Sequence, residues 1–189
     1  MVYVHFAEGF EEIEALTVVD LLRRAGIETE MVSVTGNLMV TGTHGVPVVC
    51  DTLFEDAVYD RARMIVLPGG LPGATNLYAH EGLREKLFGF ANQGKWLCAI
   101  CAAPTVLGKN GLLAGRKATC YPGCEGELEE ALVVQDAGTP VVVDHGGEGL
   151  APVITSRGPG TAMLFALAII EELKGKDAKE QIAKDLLLK

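Results

Sequence analysis

Residues 96–104 read WLCAICAAP, and the fold turns on how that stretch is read. Trp96 to Ile100 is an apolar run of strand length with no polar alternation, the pattern of a parallel strand covered on both faces. It breaks into Cys101. The small residues Ala102 and Ala103 let the backbone turn sharply into a short helix, expected over Ala103 to Leu107. That is the logic of a nucleophile elbow, with cysteine in the place of serine. The turn sets the sulfur near unpaired backbone N–H groups at a helix start, where partial positive charge favours the thiolate. A free cysteine is more often a small buried hydrophobe, and these nine residues leave both readings open.

Outward from the elbow the same rhythm repeats. Upstream, Met64 to Leu67 is an apolar strand ending at Pro68, Gly69 and Gly70, and Leu83 to Asn92 reads as the following helix. Further back, Val2 to Ala7 reads as a buried strand. Glu11 to Ala25 reads as a helix presenting Ile13, Leu16, Val19 and Leu22, stopped by Gly26. Ile27 to Val34 reads as a strand, and Met39 to Cys50, with Gly42 and Gly45, as a small hairpin. Downstream, Ala118 to Tyr121 reads as a strand, Gly126 to Ala131 as an acidic helical turn, and Val141 to Val143 and Val153 to Ile154 as short strands. Thr161 to Leu173 is a long apolar helix with Pro159 at its opening, followed by a polar tail helix. Strands alternating with helices imply one doubly wound α/β sheet.

The 189 residues, 49% hydrophobic, suffice for one core and fit a single domain over 1–189. A formal net charge of -9 argues against an extended nucleic-acid surface, which needs Lys and Arg to displace counterions. The longest apolar run, Ala162 to Ile170, is half a membrane span. MVYVHFAEGF at the start lacks the basic flank of a secretory signal, so the mature protein is expected to begin there. Five cysteines, an odd number, then point to reduced thiols in the cytoplasm.

In open α/β sheets ligands gather beyond the carboxyl ends of the strands. Three such joints stand out: EGFEEIEA at 8–15, PGG at 68–70, and AICAAP at 99–104. A rival reading takes Cys98, Cys101, Cys120 and Cys124 as a zinc ribbon, which would need all four on loops, and Cys98 falls inside a strand. A thioredoxin-type pair is disfavoured for the same reason.

EGFEEIEA, VLPGG, AICAAP and TSRGPGTA, in this order from residue 2 to about 173, resemble the ThiJ/PfpI family. More specifically they resemble its bacterial ThiJ/YajL branch, which also includes the parkinsonism-associated protein deglycase of animals. The resemblance implies a flavodoxin-like three-layer sandwich, of the kind shared with class I glutamine amidotransferases, and a homodimer. By motif, Cys101 matches the family nucleophile and Glu14 the carboxyl group that hydrogen-bonds its sulfur. A glutamate in an apolar pocket can stay protonated and donate to a thiolate. Glu11 and Glu12 are expected to be solvated. Gly69 and Gly70 match the family's PGG, which with Ala102 builds an anion pocket from backbone amides.

Two positions depart from the family pattern. Tyr121 stands where animal relatives carry a histidine, and a tyrosine is a poor base at neutral pH. His44 aligns approximately with an arginine supplied across the dimer in relatives. The protease-like branch has a histidine directly after the cysteine, where this chain has Ala102. His145 and Glu148 do not match the amidotransferase pair in spacing.

The resemblance implies a cofactor-free, metal-free glyoxalase or deglycase, of hydrolase or lyase type, acting on small α-oxoaldehydes or on glycated protein or nucleotide groups. It leaves open an oxidative-stress sensor or redox-regulated chaperone in which Cys101 becomes a sulfinate. The family's older label, thiamine thiazole-phosphate biosynthesis, connects to no residue here.

Overall fold

The structure is a computed structural model, and it describes residues 1–147 and 149–188. The elements in chain order are β1 (Val2–Phe6), α1 (Glu12–Arg24), β2 (Thr29–Ser33), β3 (Met39–Thr41), β4 (Pro47–Val49), β5 (Thr52–Leu53), β6 (Met64–Leu67), α2 (Gly73–Ala79), α3 (Glu81–Asn92), β7 (Trp96–Ile100), α4 (Pro104–Gly108), β8 (Lys117–Ala118), β9 (Leu132–Val133), β10 (Val141–Asp144), β11 (Val153–Ser156), α5 (Ala162–Lys174) and α6 (Lys176–Asp185). Short 3-10 turns occupy Tyr59–Arg61, Glu125–Glu127 and Pro159–Thr161.

The main sheet runs β10-β11-β7-β6-β1-β2-β5. Every pairing in it is parallel except β10 with β11. The sheet's middle, β2-β1-β6-β7-β11, has the flavodoxin order, whose direction of winding reverses between β1 and β6. That reversal opens a crevice at the carboxyl ends of β1, β6 and β7. The three joints marked in the sequence lie there.

Alternation along β1 separates two apolar layers. Val2, Val4 and Phe6 face the layer shared with α1 and α5, where Val18, Leu22, Phe165 and Ile169 pack. Tyr3 and Ala7 face the opposite layer with Leu77, Leu87 and Val106 of α2, α3 and α4. The central strands β1 and β6 are buried throughout because helices cover both faces, in keeping with their largely apolar sequences.

Several expectations are corrected in detail. On α1, Ile13 is 57% exposed and Leu16 only half-buried, while Ala15, Val18, Leu21 and Leu22 turn inward. Steps of three residues drift by about 60° per step around a helix of 3.6 residues per turn, so that row meets the buried stripe only at Val19 and Leu22. The expected strand Ala118–Tyr121 is the two-residue β8, which pairs with β9 outside the main sheet. Helix α2, within LPGATNLYA, adds to the elements expected from the sequence. The hairpin is present as β3 and β4. Among the described residues, no helix is long and apolar enough to cross a membrane.

Candidate functional site

Cys101 sits at the end of β7 with φ of +65°, a left-handed backbone that residues with a Cβ seldom adopt. The conformation costs ~1–2 kcal/mol and persists only where its surroundings impose it. Here they do. The Cys101 N–H donates to the Ser156 carbonyl at the end of β11 (3.0 Å), and its carbonyl accepts the Tyr121 N–H (2.8 Å). The elbow is thus pinned from both sides, leaving the side chain 9% exposed at the crevice.

Glu14 projects from the first turn of α1 and is fully buried. Its Oε2 accepts the Gly69 N–H at 2.8 Å. Its Oε1 is buried with no hydrogen-bond partner of ordinary geometry, and the carboxyl interacts with the Cys101 thiol. Burial pushes the Glu14 pKa up to about 7, against the pull of the Cys101 and Gly69 hydrogen bonds. Burial also pushes the Cys101 thiol upward, and an ionised Glu14 adds to this, whereas the backbone amides of Ala102 and Gly70 draw it down. Two acids side by side in a dry site each strengthen the other's hold on its proton, and ionisation then belongs to the pair.

Gly69 acts by its lack of a side chain. A Cβ there would lie 2.7 Å from the Cys101 Cβ, 2.8 Å from Glu14 Oε2 and 2.9 Å from the Ile100 carbonyl oxygen. Its amide is taken up by Glu14, so the two amides that face the sulfur are those of Gly70 and Ala102. Gly70 has φ of +88°, and its backbone lies so close to Phe10 and Glu11 that a Cβ would collide with them. This close approach locks the PGG loop to the start of α1, setting Glu14 and the amides at fixed positions.

The remaining candidates lie around this centre. Tyr121 is about half exposed. Its ring sits against Gly158, where a Cβ would meet Tyr121 Cδ2 at 3.2 Å. His44, at the β3–β4 turn, is mostly exposed and pairs through Nδ1 with Glu12 Oε2 at 2.9 Å, with Glu11 Oε1 at 3.9 Å. Its partners are therefore the two acids preceding Glu14.

Glu11 and Glu12 are buried, against the expectation that they are solvated. Glu11 caps α1, its Oε2 accepting the Glu14 N–H at 2.8 Å. Glu12 Oε1 accepts the His44 and Val46 backbone N–H groups, so the hairpin folds over the helix start. An acid at an N-cap, favoured there by the helix dipole, was the signal in the sequence for Glu11. Nothing local signals Glu12, whose partners lie more than thirty residues away.

The zinc alternative loses its geometry. Cys98 is packed in the α1–α5 layer and Cys120 in the opposite one, with the sheet between them. Among the described residues the ligand-type side chains that converge are Glu11, Glu12 and His44, and these bond to one another and to backbone. His145 lies against Trp96 and Glu172. Its weighed partner Glu148 lies outside the described residues.

A flavodoxin-order sheet carrying a strained cysteine elbow, a buried carboxyl and two convergent amides at its winding reversal defines an α/β protein with a cysteine elbow in its ligand crevice. The comparisons make that class specific. The chain belongs to the DJ-1/PfpI family, whose profile it matches over residues 1–172. It is similar to protein dj-1beta of Drosophila melanogaster, with 38% identity over 185 residues, 98% of this chain and 95% of that protein. It is also similar to glutathione-independent glyoxalase DJR-1.2 of Caenorhabditis elegans, with 33% identity, 96% of this chain and 92% of that one. Oxidised Toxoplasma gondii DJ-1 superposes with a TM-score of 0.90 at 37% identity, covering 99% of this chain and 97% of that chain.

Proposed function

We propose that the chain is an enzyme for small reactive carbonyls, using Cys101 as nucleophile, Glu14 as proton carrier, and the Gly70 and Ala102 amides as oxyanion donors. The observation that carries this reading is the contact between a strained, pinned Cys101 and a carboxyl whose affinity for a proton is raised to about pH 7. The similarity to a glutathione-independent glyoxalase supports it.

The thiolate tautomer of the pair adds to the aldehyde carbon of an α-oxoaldehyde, forming a C–S bond, and the proton held by Glu14 passes to the oxygen. The hemithioacetal then isomerises: the C–H proton moves through Glu14 to the neighbouring carbonyl carbon and the hydroxyl proton passes to that carbon's oxygen, giving a 2-hydroxyacyl thioester. Aldehyde is oxidised and ketone reduced within one molecule, so no cofactor takes part. Water cleaves the thioester, releasing a 2-hydroxy acid and the thiol. The two amides stabilise charge on oxygen during both additions.

The test is lactate production from methylglyoxal. Cys101→Ala is expected to lower kcat/KM by at least ~100-fold; an undiminished rate would sink the reading.

A second reading is favoured by the same amides, which form a small anion pocket at the sulfur, and by the similarity to a DJ-1 solved in its oxidised form. Peroxide would convert the thiolate to a sulfenate and a second equivalent to a sulfinate, each with loss of water. Stoichiometric sulfinate by mass spectrometry, without glyoxal turnover, would favour a sensor. For assembly we propose a homodimer, supported by the exposed apolar side chains Ile13, Met163 and Leu164, which line a groove of about 400 Å³.

A further inference from the structure

A cavity of about 300 Å³ opens beside the elbow. Ala102 and Leu71 line it; Ala102 itself, and Gly70 immediately before Leu71, supply the amides directed at Cys101. The lining also carries Tyr78, Lys109, Cys124 and Glu127. The volume is at the lower end of ordinary small-molecule sites. A three-carbon oxoaldehyde displaces roughly two or three waters of about 30 Å³ each. It leaves most of the cavity unfilled.

The charged part of the lining is one cation and one anion. Lys109, just past α4, pairs with Glu127 of the 3-10 turn, and its Nζ lies 5.4 Å from the centre of the Tyr78 ring. The two backbones are held together: a Cβ at Gly108 would lie 2.5 Å from the Glu127 carbonyl oxygen. Both side chains are partly exposed, and such ion pairs are worth little, so a ligand can exchange into them at small cost. A ligand with only a carboxylate meets Lys109 but is repelled by Glu127. A ligand with only an ammonium group meets the reverse. A ligand with both takes each partner and leaves no charge unpaired.

We propose that this cavity is a subsite for the carrier portion of an oxoaldehyde adduct, and that Lys109 and Glu127 select a zwitterion: the α-carboxylate and α-ammonium of an amino acid modified on its side chain. The inference rests on the carbonyl reading above. In the adduct, the bond from the former aldehyde carbon to the departing sulfur or nitrogen breaks as the aldehyde re-forms, and the hydroxyl proton passes to the leaving atom. That carbon then forms its new bond to Cys101. Nothing is oxidised or reduced in the exchange.

The probe is S-(2-hydroxypropyl)cysteine, an inert stand-in for the adduct, compared by calorimetry with its N-acetyl derivative (an anion) and its methyl ester (a cation). Wild-type protein is expected to bind the zwitterion ~3–5-fold more tightly than either, the worth of one partly exposed ion pair. Glu127→Gln should narrow the gap by gaining affinity for the anion, and Lys109→Met by gaining affinity for the cation, while Lys109→Arg keeps the wild-type order. This crossed pattern is one that a merely structural role would not produce. Equal binding of all three ligands, or equal weakening of all three in both variants, would overturn the subsite. Charge-selective binding without Cys101-dependent methylglyoxal turnover would overturn the carbonyl reading instead, and turnover without such binding the subsite alone.

Discussion

Glu14 holds a proton that its surroundings make costly to lose. In the unfolded chain this carboxyl ionises near 4.5; in the folded protein burial delays ionisation to about 7. Between those values the folded state binds more protons, so stability declines as pH rises through the window. At ~1.4 kcal/mol per unit, the loss is roughly 3 kcal/mol by pH 8. Glu14→Gln, which cannot ionise, is expected to resist urea better than wild type at pH 8 by up to that amount, and to match it near pH 4. Equal midpoint differences at both pH values would show that Glu14 is not held protonated. The same variant is expected to lose carbonyl turnover, so stability and activity move in opposite directions at one side chain.

At the scale of elements, the crevice depends on a hairpin closing over a helix start. Glu12 accepts two backbone N–H groups of the β3–β4 turn and the His44 ring. Removing these acceptors with Glu12→Ala is expected to cost ~1–2 kcal/mol and to speed amide exchange at His44 and Val46, read by hydrogen-exchange NMR; unchanged exchange would refute the tether. The strands β1, β6 and β7, the helices α1, α3 and α5 and the hairpin were legible in the sequence because periodicity and punctuation are local. The elbow was legible too, as an apolar run meeting Cys101 and two alanines. What was hidden is long-range. Glu12 looks like any surface acid until a turn thirty residues on caps it. Ile13 looks like core until the drift of its row is set against α5. The division of labour between Gly69, which gives room, and Gly70, which gives an amide, is invisible in PGG.

For the whole molecule, the exposed Ile13, Met163 and Leu164 bring together residues far apart in the chain on one apolar face. Monomers seldom leave such patches open without use. If this face closes a homodimer, Ile13→Glu combined with Met163→Glu is expected to halve the mass measured by sedimentation, and an unchanged mass would locate the contact elsewhere.

The left-handed backbone at Cys101 reverses a familiar ranking of substitutions. Elsewhere glycine is less stable than alanine by ~0.5–1 kcal/mol because it has more freedom to lose. At this position alanine keeps the Cβ that resists φ of +65° and glycine does not, a relief of ~1–2 kcal/mol. Cys101→Gly is therefore expected to melt at or above Cys101→Ala in calorimetry, and a clearly lower melting point would contradict the strain. Drift toward stability alone would thus have favoured a glycine at the elbow. The thiol stands where folding would be better off without any side chain, as it would if the sulfur were kept for its chemistry.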